Sequence, residues 1–568
     1  MTGPAVVGLC SGTHDSAAAL IVDGRLVGLV EEERLNGIKH TKAYPQQSID
    51  WLLDTAGMRA SDITDVAYNF APVRYLTGAL PVRHLRPGTA GRVWPRARSF
   101  ALVHRRASNR LRQFGRHFPQ ARLHGVEHHR AHGLYAFAAS PFDSAAVLVV
   151  DGLGETTTTS ICAARRTRQG LALVGRWSLP DPASLGYAYG AVTEHLGWRR
   201  GDEEGTVMAL AALGDPGRFR DLFTQAIPLT GEAFVLNHAL FPLRVISSRY
   251  PRLTDSFIAA TCPPRRPGEA LAQVHCDLAA ALQERTEQVM IHLAVQAQHR
   301  TGERALCLGG GVALNCVSTG KIVERAGYDE VFVPPAPGDC GTAAGAALSV
   351  AQSRTPAPVA GVEGQCYLGP SYDGLDLRAT PRPGMRAHRP AKPAHHLAAR
   401  LAEGQIVGVF RGPLEAGPRA LGNRSILASP LRPDVVHRLN TQVKFREPFR
   451  PFAPVVRESS AGDYFTLGQA APYMSFASGV TTLARQQIPA IVHNNGLARV
   501  QILTPEQNPF LDAVLRAFQE ITGVPVLINT SLNIKGKPIC GTPDHALDCL
   551  AESGIDALLL EDWWVTET

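Results

Sequence analysis

The same strand grammar occurs twice in this chain. Val6-Val-Gly-Leu-Cys10 is an apolar run of strand length, Ala17–Val22 is a second, Asp23-Gly24 supplies a tight hairpin turn, and Leu26–Val30 is a third strand. Near residue 145 the pattern returns. Ala145–Val150 leads into Asp151-Gly152, the β-branched stretch Thr156–Cys162 follows, and Leu171–Gly175 lies beyond another turn. Each copy runs on into helical sequence. Two such copies point to a duplicated α/β fold, in which the turn after each first strand faces a central cleft.

A third turn of interest follows the strand-like Ala305–Leu308. Gly309-Gly310-Gly311 opens into Val-Ala-Leu-Asn315. Consecutive glycines at a strand–helix junction let backbone N–H groups approach phosphate oxygens, so Gly310, Gly311 and Asn315 are candidate nucleotide contacts. Asp339 lies in a Pro/Gly-rich loop opening an alanine-rich helix, Ala343–Val350. Beyond it, Ser353–Gly364 reads as a linker, and a Pro- and basic-rich stretch, Ala379–Pro393, precedes a helix over His395–Glu403. The expected division is therefore 1–355 and 366–568.

Composition narrows the class. With 45% hydrophobic and 19% charged residues among 568, the chain is globular rather than disordered. No apolar run approaches the ~18 residues of a membrane span, and the start lacks a basic region followed by an apolar core, so neither a membrane nor export is expected. Ten cysteines without a Cys-x-x-Cys pair argue against thiolate zinc and for a reducing cytoplasm. The net charge of +7 has a local source: between Asp65 and Glu127 there is no acidic residue, while arginines recur at 74, 83, 86, 92, 96, 98, 105, 106, 110, 112, 116 and 122. A nucleic-acid surface is one interpretation of that stretch. A solvated insertion or a rim for an anionic substrate is the simpler one, and nucleic acid is not an expected partner.

Four constellations carry chemistry. His128 and His132 are i and i+4 on a helix, so both imidazoles project from one face and can share a metal; Asp151 and Asp339 are the natural carboxylates to complete a site for Fe²⁺, Mn²⁺ or Zn²⁺. His14-Asp15 follows the first strand, where His14 can take a proton from a hydroxyl and Asp15 either orients it or caps the alanine-rich segment after it. Glu415-Ala-Gly-Pro-Arg419-Ala-Leu-Gly-Asn423-Arg424-Ser425 and Lys444-Phe-Arg446-Glu-Pro-Phe-Arg450 place five cations among glycines and prolines, which suits a pocket for phosphate-rich ligands. Asn529-Thr-Ser531-Leu-Asn533 ends a strand with amide and hydroxyl groups able to hydrogen-bond a nucleotide or a small amide.

Taken in order, His14-Asp15, Glu31-Glu-Glu-Arg34, Lys39-His40, His128-His-x-x-His132, Val150-Asp-Gly-x-Gly-Glu155, Gly310-Gly-Val-Ala-x-Asn315, Gly417-Pro-Arg-Ala-Leu-Gly-Asn-Arg-Ser425, Lys444-Phe-Arg-x-x-Phe-Arg-Pro-Phe-Ala-Pro454 and Asn529-Thr-Ser-x-Asn533 resemble the O-carbamoyltransferases of the NodU/CmcH family, the group that includes tobramycin carbamoyltransferase. The resemblance spans nearly the whole chain. It implies an actin-like (ASKHA) duplicated N-terminal domain and a YrdC-like α/β C-terminal domain. It implies that carbamoyl phosphate and ATP, with Mg²⁺, give carbamoyl adenylate in the C-terminal domain, and that the intermediate passes internally to the N-terminal cleft, where a hydroxyl of an antibiotic or glycosylated natural product attacks it. By the same resemblance His128, His132, Asp151 and Asp339 are metal ligands, with Fe²⁺ the expected ion, and His14 is the general base with Lys39 also in the cleft. Arg419, Asn423, Arg424, Lys444, Arg446, Arg450, Arg499, Asn529, Ser531 and Asn533 contact phosphate and nucleotide. A homodimer is the assembly it suggests.

Two departures stand out. The family's Asp-Gly-Thr-Ala-Arg is Asn495-Gly-Leu497-Ala-Arg499 here, and a lysine and a glycine near Asp202–Leu210 are replaced by Thr206 and Ala209. The alternatives are an ATP-dependent sugar kinase, which leaves residues 415–454 without a role, and a tRNA-modifying carbamoyl-adenylate enzyme, prompted by the arginine stretch.

Overall fold

The computed structural model describes residues 3–78, 90–378 and 382–568. Arg83 and Arg86 of the basic stretch, and Ala379–Pro381, lie outside the described residues. The chain divides into two compact units, Met1–Leu29 with Lys42–Gln365, and Val30–Thr41 with Cys366–Thr568.

The first unit contains two five-stranded sheets. In one, β1 (Ala5–Cys10), β2 (Ala17–Val22), β3 (Arg25–Glu31), β4 (Asp65–Tyr68) and β5 (Arg122–Gly125) are ordered β3-β2-β1-β4-β5. In the other, β6 (Ser144–Gly154), β7 (Thr157–Thr167), β8 (Gly170–Pro180), β9 (Ala305–Gly309) and β10 (Glu330–Phe332) are ordered β10-β9-β6-β7-β8. From the third strand of each, both read 3-2-1-4-5, with the first two strands antiparallel and the first and fourth parallel. This is the duplicated, actin-like α/β architecture. Asp23 and Gly24 both have positive φ (49° and 73°), the geometry of a two-residue hairpin turn whose twist matches its strands.

The strand carrying Asp151 is longer than its sequence suggests. β6 continues past Asp151-Gly152 to Gly154, and its pairing with β7 slips between Val150 and Gly154. The slip places extra residues in β6 at Asp151–Leu153, an irregularity that re-aims a side chain near the end of this central strand. Asp15 caps no helix, because the alanine-rich segment after it is strand β2.

Two helices lie between the sheets, His128–Ala138 and Gly341–Arg354; nearly every residue of the first is buried, and the second is buried from Gly341 to Leu348. Their small residues allow backbone contact. A Cβ at Gly8 of β1 would collide with the carbonyl of Ala343, and one at Gly345 would collide with the carbonyl of Ala131. The segment expected as a linker packs on this unit: the Ala360 amide donates to Gly24 O, its carbonyl accepts from Leu26 N, and Gly364 N donates to Ala139 O.

The second unit holds an eight-stranded mixed sheet. β11 (Met385–His388), β12 (Val407–Phe410), β13 (Arg424–Ala428), β14 (Ala453–Arg457), β17 (Gln501–Leu503), β18 (Val526–Ser531), β19 (Ala557–Leu560) and β20 (Trp563–Glu567) are ordered β11-β20-β19-β12-β13-β18-β14-β17, and β15 (Ala477–Gly479) pairs with β16 (Leu497–Arg499) apart from it. Helices Pro393–Ala402 and Pro509–Thr522 bury Leu397, Leu401, Val514 and Phe518 against Val407, Val455 and Leu527.

Residues 30–41 differ from the expected division, in which they belong to 1–355. They pack with the second unit because Glu31 and Arg34 are tied to Gly417: Gly417 N donates to Glu31 Oε1 (2.8 Å), and the Arg34 guanidinium donates to Gly417 O (2.8 Å). Among the described residues, no helix is long and apolar enough to cross a membrane, and all ten cysteines are free and buried.

Gly345→Ala is expected to separate the two buried helices. Overpacking of this kind costs about 1–3 kcal/mol, so the variant should melt several degrees lower in a calorimetric scan, whereas Gly523→Ala, at a helix end with open space around it, tests only the cost of the left-handed conformation there.

Candidate active sites in the two units

Four side chains expected to ligate a metal converge in the first unit. His128, His132, Asp151 and Asp339 each offer one atom, and these atoms lie within 4.8 Å of one another, all buried. His128 Nε2 is 3.1 Å from His132 Nε2 and 3.4 Å from both Asp151 Oδ2 and Asp339 Oδ1; His132 Nε2 is 3.7 Å from Asp339 Oδ1. Three of the remaining atoms are tied back. His128 Nδ1 donates to Asn69 O (3.2 Å), which leaves Nε2 as the ring atom facing the centre. Asp151 Oδ1 accepts from Gly311 N (3.0 Å), and Asp339 Oδ2 accepts from Thr13 Oγ1 (3.3 Å). Burial alone would raise both carboxyls, but the facing imidazoles outweigh it and hold Asp151 and Asp339 below the usual range. Two imidazole nitrogens and two ionised carboxylates in a buried cluster are a donor set that fits a first-row divalent cation.

Neighbours that sequence reasoning did not single out hold this geometry. Phe70 stacks on the His128 ring (4.6 Å, 4° between planes). Asn69 Nδ2 donates to Thr342 Oγ1 (2.7 Å), whose hydroxyl donates to the Asp339 carbonyl. Glu155 accepts from Ala71 N (2.8 Å) and His128 N (3.3 Å), with the positive φ of 38° that its turn requires. Glu155 was visible only as the last letter of Val150–Glu155; Asn69 and Thr342 carried no signal, because nothing local marks them.

His14 follows β1, half exposed, with Nδ1 2.7 Å from Asp15 Oδ2. Desolvation opposes a proton there, yet the Asp15 hydrogen bond and the Asp339 and Asp151 carboxylates push His14 up to about 9. It can act as a base at neutral pH only when the charge of those carboxylates is balanced.

Three expectations change. Gly310 and Gly311 do not present free amides to a phosphate: Gly310 N donates to Pro337 O (2.9 Å) and Gly311 N to Asp151. Gly310 is needed sterically, since φ is 88° and a Cβ would collide with the Val150 carbonyl. Asn315 caps the next helix, accepting from Ser318 N (3.0 Å). The motif thus positions a carboxylate, and the feature that prompted a kinase assignment disappears. Lys39 belongs to the segment 30–41 of the second unit, not to the first unit in which it was expected.

In the second unit the loop 417–424 wraps a carboxylate of its own. Glu415 Oε1 accepts from the amides of Leu421 (2.8 Å), Asn423 (2.8 Å) and Arg424 (3.0 Å). Three residues expected to touch ligand instead build this loop. Arg424 is fully buried, donates to the carbonyls of Arg411, Asn423 and Pro370, and stacks on Phe410. Asn423 bridges Pro413 O and Asn508, and the buried Asn529 donates to Gln501 Oε1 (2.7 Å). Arg419 stands on the same loop, partly exposed.

The other cations do gather. Lys444 Nζ donates to Ser531 O and to Asn533 Oδ1 (2.8 Å), uniting two motifs 87 residues apart. Burial, then the charges of Arg446 and Arg450, pushes Lys444 down to about 7. Burial likewise lowers Arg446, with Arg450 and Arg499 acting in the same direction. Glu447, 3.9 Å from Arg450, is the acid beside them. Lys444, Arg446, Arg450 and Arg499 are near enough to one another to depress the charge of Lys444 and Arg446, a gathering suited to phosphate. The Asn495/Leu497 departure forms a self-contained turn, with Asn495 Oδ1 accepting from Leu497 N (3.1 Å).

Comparison with known proteins follows the same division. Residues 5–73 and 100–348 match the carbamoyltransferase N-terminus family and residues 398–567 the carbamoyltransferase C-terminus family. The chain is 34% identical to the uncharacterized protein sll1178 of Synechocystis, over 99% of this chain and 97% of that one. It is 34% identical to nodulation protein NolNO of Sinorhizobium fredii, over 97% of this chain and 79% of its relative. Among solved structures, T. kodakarensis HypF aligns with 62% of this chain and 48% of its own at 14% identity and a TM-score of 0.31. With both family domains matched in order, the chain belongs to the carbamoyltransferase family and is a carbamoyltransferase enzyme.

Proposed function

We propose that this carbamoyltransferase consumes ATP and carbamoyl phosphate and carbamoylates a hydroxyl of a small secondary metabolite, in two steps divided between the two units. In the second unit, which in this reading is a YrdC-like adenylate-forming domain, carbamoyl phosphate and water give carbamate and phosphate. A carbamate oxygen then attacks the α-phosphorus of Mg²⁺-ATP, forming carbamoyl adenylate and releasing pyrophosphate. In the first unit the acceptor hydroxyl attacks the carbamoyl carbon; the new C–O bond forms, the bond to AMP breaks, and the hydroxyl proton goes to His14.

The convergence of His128, His132, Asp151 and Asp339 carries this reading, because it lies in the unit matching the carbamoyltransferase N-terminus. A divalent cation, Fe²⁺ in this reading, would hold the phosphate of the adenylate and balance the charge of the two carboxylates. Lys444, Arg446, Arg450 and Arg499 gather the anionic donors in the second unit, and Ser531 and Asn533 fix the lysine. Activation precedes transfer for a chemical reason. The carbamoyl nitrogen donates into its carbonyl and makes it a poor electrophile, which an AMP leaving group corrects. Positioning the hydroxyl against the anhydride supplies the rest.

Three outcomes test the scheme. Leaving out ATP or carbamoyl phosphate should each abolish the mass increase of one carbamoyl group in a candidate metabolite; carbamoylation without ATP would refute the adenylate. His14→Ala should lose acceptor carbamoylation by about 10²–10⁴-fold while pyrophosphate release persists, and loss of both together counts against the division of labour. At pH 8 Lys444 is mostly neutral in the empty site, so binding of carbamoyl phosphate should take up close to one proton, against little at pH 6, where the lysine is already charged. Calorimetry in buffers of different ionisation enthalpy reads this uptake, and Lys444→Met should remove it.

A further inference from the structure

The helix Leu185–His195 of the first unit begins against the metal-ligand strand: a Cβ at Gly186 would lie 3.1 Å from Gly152, the residue after Asp151. Guanidinium groups line the same helix from that point outward. Arg244 donates to Gly152 O (2.7 Å) and to Asp181 Oδ1 (3.0 Å) and lies over the Tyr187 ring (4.6 Å). Arg96, from the basic stretch, reaches the other Asp181 oxygen (2.6 Å) and donates to Arg244 O (3.0 Å). Arg200 crosses Gly190, where an added Cβ would meet its side chain at 2.7 Å. Arg252 donates to Glu194 Oε2 (2.6 Å), and Arg92 donates to Pro251 O (3.1 Å). Five arginines thus stand among three carboxylates, Asp181, Glu194 and Glu204, the last with Oε1 3.2 Å from the same Cβ position at Gly190.

Arg200 differs from the others. Arg96, Arg244 and Arg252 are largely buried and engaged with carbonyls or carboxylates, whereas Arg200 is about one-third exposed; Glu194, 3.6 Å away, is held more closely by Arg252, and Glu204 Oε1, beside the Arg200 stem at Gly190, accepts from Gly201 N (2.6 Å). Burial, Arg252 and Arg244 all act against its charge. A cation held beside other cations, with donors to spare, is stabilised by an incoming anion.

We propose that Arg200, backed by Arg244 and Arg252, binds a phosphate or carboxylate carried by the hydroxyl acceptor, so that the substrates of this carbamoyltransferase are anionic. The helix rises about 6 Å from Gly186 to Gly190 and about 12 Å to Glu194. The anionic group therefore stands roughly one to two sugar rings from the hydroxyl presented at Asp151. Arg96, through Asp181, positions Arg244, which gives part of the arginine-rich stretch a role in acceptor choice. The inference rests on transfer taking place in the first unit.

Methyl β-D-glucuronide and methyl β-D-glucoside, which differ only in a carboxylate, test it when titrated into the full-length chain. The glucuronide should bind about tenfold more tightly, a factor within the reach of one charge-assisted pair. Arg200→Gln should erase that preference, Arg200→Lys should keep part of it, and glucoside binding should not change in either. Arg446→Gln, in the second unit, should leave the preference in place. In turnover, Arg200→Gln should raise KM for an anionic acceptor and not for a neutral one. Equal binding of the two glycosides, or a preference lost with Arg446 instead of Arg200, overturns the proposal. Failure of the two-step reading would show separately, as pyrophosphate release that does not depend on carbamoyl phosphate.

Discussion

Direct backbone contact between the helices His128–Ala138 and Gly341–Arg354 sets the geometry on which the first unit depends. Gly345 lies against the Ala131 carbonyl, between the two imidazole-bearing turns, and Gly8 lies against Ala343. These approaches fix the spacing between the start of one helix, where His128 and His132 stand, and the loop before the other, which carries Asp339. A side chain at either glycine would move ligands that have to stay within one coordination sphere. The bulge in β6 then supplies the fourth donor from the second sheet.

The two units treat charge in opposite ways. In the first, two buried carboxylates face two imidazoles and are held further by an amide and a hydroxyl; in the second, Lys444 gathers with three arginines, with Glu447 beside Arg450. Buried charge is costly unless it is paired, and each cluster carries an excess that an opposite charge would relieve. Glu415 is the instructive contrast. It satisfies three amides of the 417–424 loop from within, so the course of that loop is set by the protein's own hydrogen bonds.

Much of this was legible in the sequence, for reasons of scale. Strand–turn–strand repeats are local, and the period of the apolar residues with Asp23-Gly24 determined them. The His-x-x-x-His spacing is also local, and the two aspartates could be proposed because each ends or follows a recognisable element. What escaped was mostly contact between residues distant in sequence. Arg424, Asn423 and Asn529 look like ligand contacts as letters in a motif, yet they serve carbonyls and amides of the loop itself. Gly310 and Gly311 look like a phosphate cradle, but their amides are spent on Pro337 and Asp151. Asn69 and Thr342, which steady both a histidine and an aspartate, have no neighbours in sequence that would mark them.

The short return of residues 30–41 makes the second unit discontinuous. Its loop at Gly417 is closed by a carboxylate and a guanidinium synthesised almost four hundred residues earlier. A polypeptide beginning at Cys366 would therefore lack two of its own parts, with an amide and a carbonyl left to water. During synthesis, the segment after the first hairpin must wait for Gly417, almost four hundred residues further on. The two units share one covalent history, and recombining halves from different relatives would have to carry this segment along with its distant partner.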